Sequence, residues 1–302
     1  VIPAGGYQWH YIDGVSDDGR SAIVIIALLG NPFSPSYARA RQRGPSPALT
    51  FCSMNVAVYA KGASAWALDE QSVADDDRTA SGVAIGRSSM RWGKDGLTVD
   101  LDELTTPLRR RLRGKIVLHP EVQSGLEIAL DEGNEHKWWP VAPLARIEVD
   151  LPSPGVRFSG HGYHDANAGN VPLETSFEHW SWSRARTEDG ALLTYDLSTA
   201  AGSERSLSLR VSPQGELDNL DGTWRAPLPN TLWGIERQAR VDDAHGARLQ
   251  QSLEDGPFYS RALVETRLGG RPVVAVHETL AAHRLRRSWV RALVGFRMRR
   301  PR

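Results

Sequence analysis

Three short stretches concentrate the side chains able to do chemistry. They are Asn134-Glu135-His136-Lys137-Trp138-Trp139-Pro140, Gly160-His161-Gly162-Tyr163-His164-Asp165-Ala166-Asn167 and His179-Trp180-Ser181-Trp182. Residues two apart on a strand point to one face. If these stretches are extended, His136 shares a face with Trp138, Tyr163 with Asp165, and Trp180 with Trp182. An acid held among aromatic faces can protonate an isolated alkene and shelter the carbocation that forms. Such an acid must keep its proton near neutral pH, against an ordinary carboxyl pKa of about 3.9. Burial against apolar surface moves a carboxyl pKa in that direction. Each aromatic face offers a cation roughly 0.5–2 kcal/mol, more when water is excluded. The reaction needs no cofactor. A Trp-rich barrel core with a Gly-flanked loop would satisfy the same spacing.

Other chemistries leave no mark. The chain has no G-x-S-x-G elbow, no Walker loop, no G-x-G-x-x-G after a strand and no H-E-x-x-H. His277-Glu278 begins a zinc-like pattern, but the next histidine is His283, at the wrong spacing. His161 and His164 could share a metal, yet no third ligand stands at a diagnostic distance, and the pair reads as polar loop residues. The single cysteine, Cys52, excludes an intrachain disulfide framework and a multi-cysteine metal site. No metal and no cofactor are expected.

The elements that must position these residues read as strands. Asp-Gly turns at Asp18-Gly19, Asp95-Gly96 and Asp189-Gly190 each separate two runs of alternating apolar residues, the signal of a hairpin. Ser206 to Val211 then meets the turn Ser212-Pro213-Gln214-Gly215. Helical periodicity is scarce before the C-terminus, so the fold class is all-β, a barrel or sandwich architecture. With 302 residues and 33.3 kDa, about two domains are expected. Lys94-Asp95-Gly96-Leu97 recurs loosely as Glu188-Asp189-Gly190-Ala191. Duplication and shared hairpin chemistry account for that echo equally well. Prolines at 140, 143, 152 and 154 suggest a junction there, giving domains over 1–145 and 146–280 and a tail over 281–302.

Apolar content of 40% and a mean hydropathy of −0.39 exclude a polytopic membrane protein and extended disorder. The longest apolar run, Ala22 to Leu29, has eight residues, against the ~20 of a spanning helix. No signal peptide is visible, so a cytoplasmic location is expected. Lys plus Arg and Asp plus Glu balance at 36 each. That neutrality argues against a nucleic-acid partner, but it hides a body at −8 and a tail at +8, since Ala281 to Arg302 holds eight Arg and no acid. In that tail Leu285, Trp289, Leu293 and Phe296 recur at helical spacing. A basic amphipathic helix of this kind suits a membrane interface; a helix packed on the barrel with a solvated basic face is the alternative.

The sequence resembles the carotenoid 1,2-hydratases (hydroxyneurosporene synthases) of carotenoid-producing, chiefly photosynthetic, bacteria. The likeness runs through Gly6-Tyr7-Gln8-Trp9, Ser16-Asp17-Asp18-Gly19, Phe33-Ser34-Pro35-Ser36-Tyr37-Ala38-Arg39 and Cys52-Ser53-Met54-Asn55-Val56-Ala57-Val58-Tyr59. It continues in His136 and Trp138, Gly162-Tyr163-His164-Asp165, Pro172-Leu173-Glu174, Trp180-Ser181-Trp182-Ser183-Arg184 and Pro257-Phe258-Tyr259. His10 stands beside Trp9 where the family pattern would place an aromatic. The resemblance implies two tandem lipocalin-like barrels and a hydro-lyase adding water to the terminal C1–C2 double bond of acyclic carotenoids such as neurosporene and lycopene. It places the family's functional constellation on His136, Trp138, Tyr163 and Asp165. Asp165 would protonate C2, Trp138 and Tyr163 would stabilise the cation, and His136 would hold the water. Trp180, Trp182, Trp139 and Tyr259 are expected along the substrate. An acid-initiated terpenoid cyclase or isomerase and a non-catalytic isoprenoid carrier are the other readings. The expected partners are the carotenoid, water and, through the basic tail, the inner photosynthetic membrane.

Overall fold

The computed structural model describes residues 2–242 and 246–298. The last four residues of the expected tail, Arg299 to Arg302, lie outside the described residues. The chain is all-β and lipocalin-like, with curled antiparallel sheets in two units.

The first unit comprises the residues up to Pro172 together with those from Arg291 on. Its strands are β1 (Tyr7–Ser16), β2 (Ala22–Leu29), β3 (Cys52–Tyr59), β4 (Ala65–Ala67), β5 (Glu70–Gln71), β6 (Arg78–Thr79) and β7 (Gly82–Ile85). They continue with β8 (Ser88–Gly93), β9 (Gly96–Leu104), β10 (Arg111–Val122), β11 (Ile128–Ala129), β12 (His136–Ser153) and β13 (Val156–Gly169). All join one sheet, in which β1 pairs with β2 on one side and with β13, some 150 residues later, on the other. The expected hairpin at Asp18-Gly19 forms, with Gly19 at φ 70° and Val15 paired to Ala22. β2 supplies an almost unbroken Ile/Val/Leu run whose branched side chains pack on the pleat. Helix α1 (Pro35–Arg43) follows, capped by the Ser34 hydroxyl, which accepts from the Tyr37 backbone N–H.

Alternate residues of these strands form the apolar core, including Ile12, Ile25, Val56, Leu118 and Ile147. Gly14 and Gly162 face each other across β1 and β13. A Cβ on Gly14 would lie 2.7 Å from Ile147, and one on Gly162 would lie 2.5 Å from Leu118. The glycines therefore leave the dent that those two core side chains fill.

The second unit runs from Leu173 to Val290. It opens with the short helix α2 (Leu173–Ser176), then β14 (Phe177–Thr187), β15 (Gly190–Thr199), β16 (Glu204–Val211), β17 (Leu217–Asn219), β18 (Trp224–Leu228) and β19 (Arg237–Val241). The last strands are β20 (Arg248–Asp255), β21 (Tyr259–Leu268) and β22 (Arg271–Leu280). Seven of them form a sheet in the order β17-β16-β15-β14-β22-β21-β20, while β18 and β19 pair separately.

Three sequence expectations shift. The junction expected at 145/146 falls inside β12, which stays paired to β10 and β13 through that point, so the break comes at Pro172/Leu173. Pro140 and Pro143 instead accompany two register shifts in β12, where a residue without an N–H is tolerated. The segment around His161 and His164, expected as loop, lies within β13. Among the described residues the tail is not one continuous helix but a 3-10 turn (Ala282–Arg286) followed by α3 (Ser288–Arg297). Leu285 is buried in the turn, whereas Trp289, Leu293 and Phe296 are exposed on α3.

Candidate active site

The face of β1, β12 and β13 turned away from the apolar core carries the chemistry. Register arranges it in rows. Tyr7, Gly169 and His136 make the first, and Trp9, Asn167 and Trp138 the second. Tyr11 faces Asp165 in the third, and Asp13 faces Tyr163 in the fourth. The side chains of this face are buried even though they lie opposite the core, with Trp138, Tyr163 and His136 fully so and Asp165 4% exposed.

Asp165 is the centre of the arrangement. The indole N–H of Trp138 donates to its Oδ2 at 2.9 Å, and the Tyr163 hydroxyl donates to the same oxygen at 2.9 Å. The polar edges of both aromatics are thus aimed at the acid. Beside it, the Tyr11 hydroxyl donates to Asp13 Oδ2 at 3.0 Å, and the Tyr11 and Tyr163 rings meet edge-on at 6.2 Å. Each such hydrogen bond contributes about 0.5–1.5 kcal/mol to a neutral carboxyl and about 1.5–3 kcal/mol to a charged one.

His136 stands two rows from Asp165. Its Nδ1 shares a 2.9 Å hydrogen bond with the Tyr7 hydroxyl, and its backbone N–H donates to Asp131 Oδ1 at 2.8 Å. Burial holds the imidazole below its ordinary pKa, so it is neutral at pH 7. Gly169 makes the pairing possible, because a Cβ there would lie 2.4 Å from the Tyr7 ring and 2.6 Å from His136 Nδ1. Tyr7 also stacks on Trp9, with centroids 5.0 Å apart, and Trp9 reaches Phe33 at 6.2 Å. Below the acid pair, then, runs a wall of aromatic rings.

The four residues of the expected constellation share one face. Trp139 does not join them. It points to the other side of β12, where its indole N–H donates to Glu127 at 3.0 Å. Trp180, Trp182 and Tyr259 belong to the second unit. There Trp180 packs edge-on against Phe177 at 5.8 Å and Tyr195 at 6.0 Å, Trp182 is buried, and Arg261 lies 5.3 Å from the Tyr259 ring. A cavity of about 500 Å³ in this unit is lined by Glu178, His179, Asp196, Arg225, Glu236 and Arg284 among others. Leu197, Ile235 and Ala281 also line it, so polar and apolar groups share the wall.

His161 and His164 lie three apart on a strand and so point to opposite faces, which rules out a shared metal. His164 Nδ1–H donates to the Tyr11 backbone carbonyl at 2.8 Å, and its ring meets those of His10 and Trp92 at 5.7 Å on the core side. Burial takes its pKa down to about 3 and that of His10 to about 4. Among the described residues, no three His, Cys, Asp or Glu side chains group as metal ligands. Tyr11 and Asp13 are the members of the site that sequence reasoning missed. The signal was present: Tyr11-Ile12-Asp13 repeats the Tyr-x-Asp spacing of Tyr163-His164-Asp165.

Several known proteins are similar to this chain. The family model for carotenoid hydratase CrtC matches residues 25–302. The acyclic carotenoid 1,2-hydratase of Thiocapsa roseopersicina is 42% identical over 300 residues, covering 99% of this chain and 74% of that protein. The protein of the same name from Cereibacter sphaeroides is 35% identical over 279 residues, covering 92% of this chain and 98% of that one. Among solved structures, a putative AttH from Nitrosomonas europaea superposes with a TM-score of 0.61 at 13% identity, covering 92% of each chain. Kievitone hydratase from Nectria haematococca gives 0.56 at 11% identity, over 92% of this chain and 89% of that one. At such identities the structural likeness concerns the fold alone.

Proposed function

The chain belongs to the carotenoid hydratase family, and from that premise we propose that it adds water to the terminal C1–C2 double bond of acyclic carotenoids such as neurosporene and lycopene. The product is a tertiary 1-hydroxy carotenoid. The observation that carries the proposal is the buried Asp165 carboxyl, with Trp138 Nε1–H and Tyr163 O–H both donating to Oδ2. On this reading burial keeps Asp165 protonated, and because Oδ2 accepts two hydrogen bonds the proton sits on Oδ1. As that proton passes to C2, negative charge grows on the carboxyl, where the two donors already point. The tertiary cation at C1 then lies beside aromatic faces, each worth roughly 0.5–2 kcal/mol to a cation. Water closes the reaction at C1. These steps use an acid, a proton acceptor and water, and no bound cofactor takes part. His136, fixed by Tyr7 two rows away, lines the path of the polyene on this reading and, neutral, can bind water there. Incubation with lycopene in detergent micelles tests the assignment: product heavier by one water supports it. An isomer of unchanged mass would mean cyclisation, and bound but unaltered pigment a carrier.

Removing one donor at a time separates polar edge from ring face. Tyr163→Phe and Trp138→Phe each keep an aromatic ring and lose the hydrogen bond to Asp165. Hydration should slow about 10- to 100-fold in each, the kinetic equivalent of about 1.5–3 kcal/mol. Steady-state rates on micellar lycopene check this, and unchanged rates would return both residues to ring-face roles alone.

A water-insoluble substrate is reached from a lipid phase, and we propose that this enzyme binds the membrane surface peripherally. No helix among the described residues is long and apolar enough to cross a membrane. Two features support surface binding. Leu232 is 96% exposed at a turn, beside Trp233, which stacks on Trp289 at 6.1 Å. Exposed Arg287 flanks Trp289 in a tail without acidic residues. Not all the tail's arginines are available: Arg284 donates to the carbonyls of Trp233 and Gly234, and Arg286 pairs with Glu178. Burying Leu or Trp in the interface contributes about 1.5–3 kcal/mol per side chain. Leu232→Asp should therefore cut the fraction floating with anionic vesicles about tenfold or more, while turnover of micellar substrate is retained. Undiminished flotation would move the contact elsewhere.

A further inference from the structure

We propose that Asp13 is a second catalytic carboxylate, which holds the attacking water and takes its proton. The proposal rests on the reading of Asp165 as the acid. Asp13 is 1% exposed and lies on the same face as Asp165, in the adjoining row. The pairing of β1 with β13 brings two Tyr-x-Asp segments together in opposite directions, so that Tyr11 faces Asp165 and Asp13 faces Tyr163. Each tyrosine hydroxyl donates to the aspartate of its own strand, at 3.0 Å for Asp13 and 2.9 Å for Asp165. The result is a local two-fold arrangement of two carboxyls and two phenols. One acid suffices to protonate an alkene; a second buried carboxyl is costly to bury and calls for a use.

Position decides between Asp13 and His136 as the group that handles water. C1 and C2 are bonded neighbours, so water must arrive close to where the proton was delivered. Diagonal neighbours on an antiparallel pair have Cα atoms about 7–8 Å apart, which is the relation of Asp13 to Asp165. His136 lies four residues along the ladder from the Asp165 row, about 13 Å at 3.3 Å per residue, and Trp138 stands between them. Its Nδ1 is also engaged with Tyr7. Asp13 is the nearer group by half the distance.

The steps balance. The Asp165 O–H proton passes to C2, the alkene π pair forms the C2–H bond, and C1 is left a cation. A lone pair of water forms the C1–O bond. One water O–H bond breaks, its electrons stay on oxygen, and its proton goes to the Asp13 carboxylate. Asp165 ends as carboxylate and Asp13 as acid. The proton returns to Asp165 before the next turnover, with the two tyrosine hydroxyls and solvent as its route.

Deuterium incorporation separates the two carboxyls. In D2O with micellar lycopene, Asp13→Asn should lose about 100-fold or more of its hydration, the usual scale for a general base. Recovered carotenoid should still gain deuterium at C2 at close to the wild-type rate, because the cation forms and collapses back. Hydration retained by D13N overturns the proposal. So does a folded D13N that loses exchange along with hydration, which would mean that Asp13 only positions Tyr11. Asp13→Glu, which keeps the carboxyl, gives an independent reading should D13N fail to fold: it should retain exchange and recover measurable hydration, and a folded D13E with exchange but no hydration overturns the proposal. Asp165→Asn should abolish exchange and hydration together, and exchange surviving in D165N would overturn the acid assignment whatever D13N does.

Discussion

Asp165→Asn should lower hydration of lycopene by about three orders of magnitude or more while leaving the protein folded. The substitution changes little else. Asparagine has the same shape, and its side-chain oxygen can accept the hydrogen bonds from Trp138 and Tyr163 that now converge on Oδ2. Packing around the fully buried rings of those residues is preserved. What is lost is the transferable proton. General acid catalysis is worth about 10²–10⁴-fold in rate, and an isolated alkene, far less basic than the oxygen or nitrogen usually protonated, places the loss at the upper end. The measurement is product formed from micellar lycopene beside circular dichroism and a thermal melt of the same preparation. A variant that melts as wild type and still turns over would remove Asp165 from the chemistry.

Acid should destabilise both units, and the responsible groups are histidines remote from that carboxyl. His164 in the first unit is fully buried, and His277 in the second is 1% exposed, held between Ser183 at 2.8 Å and Thr279 at 3.1 Å. Burial takes the pKa of each down to about 3, against about 6.5 in an unfolded chain. Between those values the unfolded chain binds more protons than the folded one, so stability rises with pH across that window. It is complete above pH 6.5 and falls as the medium is acidified toward the folded-state values. At pH 5 each histidine accounts for a loss of about 2 kcal/mol, against total stabilities of about 5–15 kcal/mol. Urea unfolding at pH 7 and pH 5 should show the midpoint moving down, and His277→Asn should reduce that movement for the second unit. Equal midpoints at the two pH values would contradict the assignment of neutral buried imidazoles.

Much of the fold is legible in the sequence because its signals are local. The Asp-Gly turns and the β-branched run of β2 specify hairpins without reference to distant residues. The division into units is not legible, since prolines within β12 look like a boundary when only neighbouring residues are considered. In three dimensions they mark register shifts in an 18-residue strand that pairs on both sides. The candidate site shows the same contrast. His136 with Trp138, and Tyr163 with Asp165, follow from two-residue spacing. Their convergence, and the membership of Tyr11 and Asp13, depend on β1 pairing with β13 across most of the unit. Strand alternation turns Trp139 to the other side, where its partner Glu127 stands nine residues before His136, the nearest member of the constellation.

Because reactive and core side chains alternate along β1 and β13, each strand carries two interleaved messages. Tyr7, Trp9, Tyr11 and Asp13 are written on one set of letters, and Ile12 and the Gly14 dent on the other. Mutational drift in substrate preference can thus proceed on one set while the other keeps the barrel intact. A laboratory library over residues 7, 9 and 11 would explore new polyenes without touching the core set, and because these rings are themselves buried, replacements of similar volume are the ones that keep the host folded.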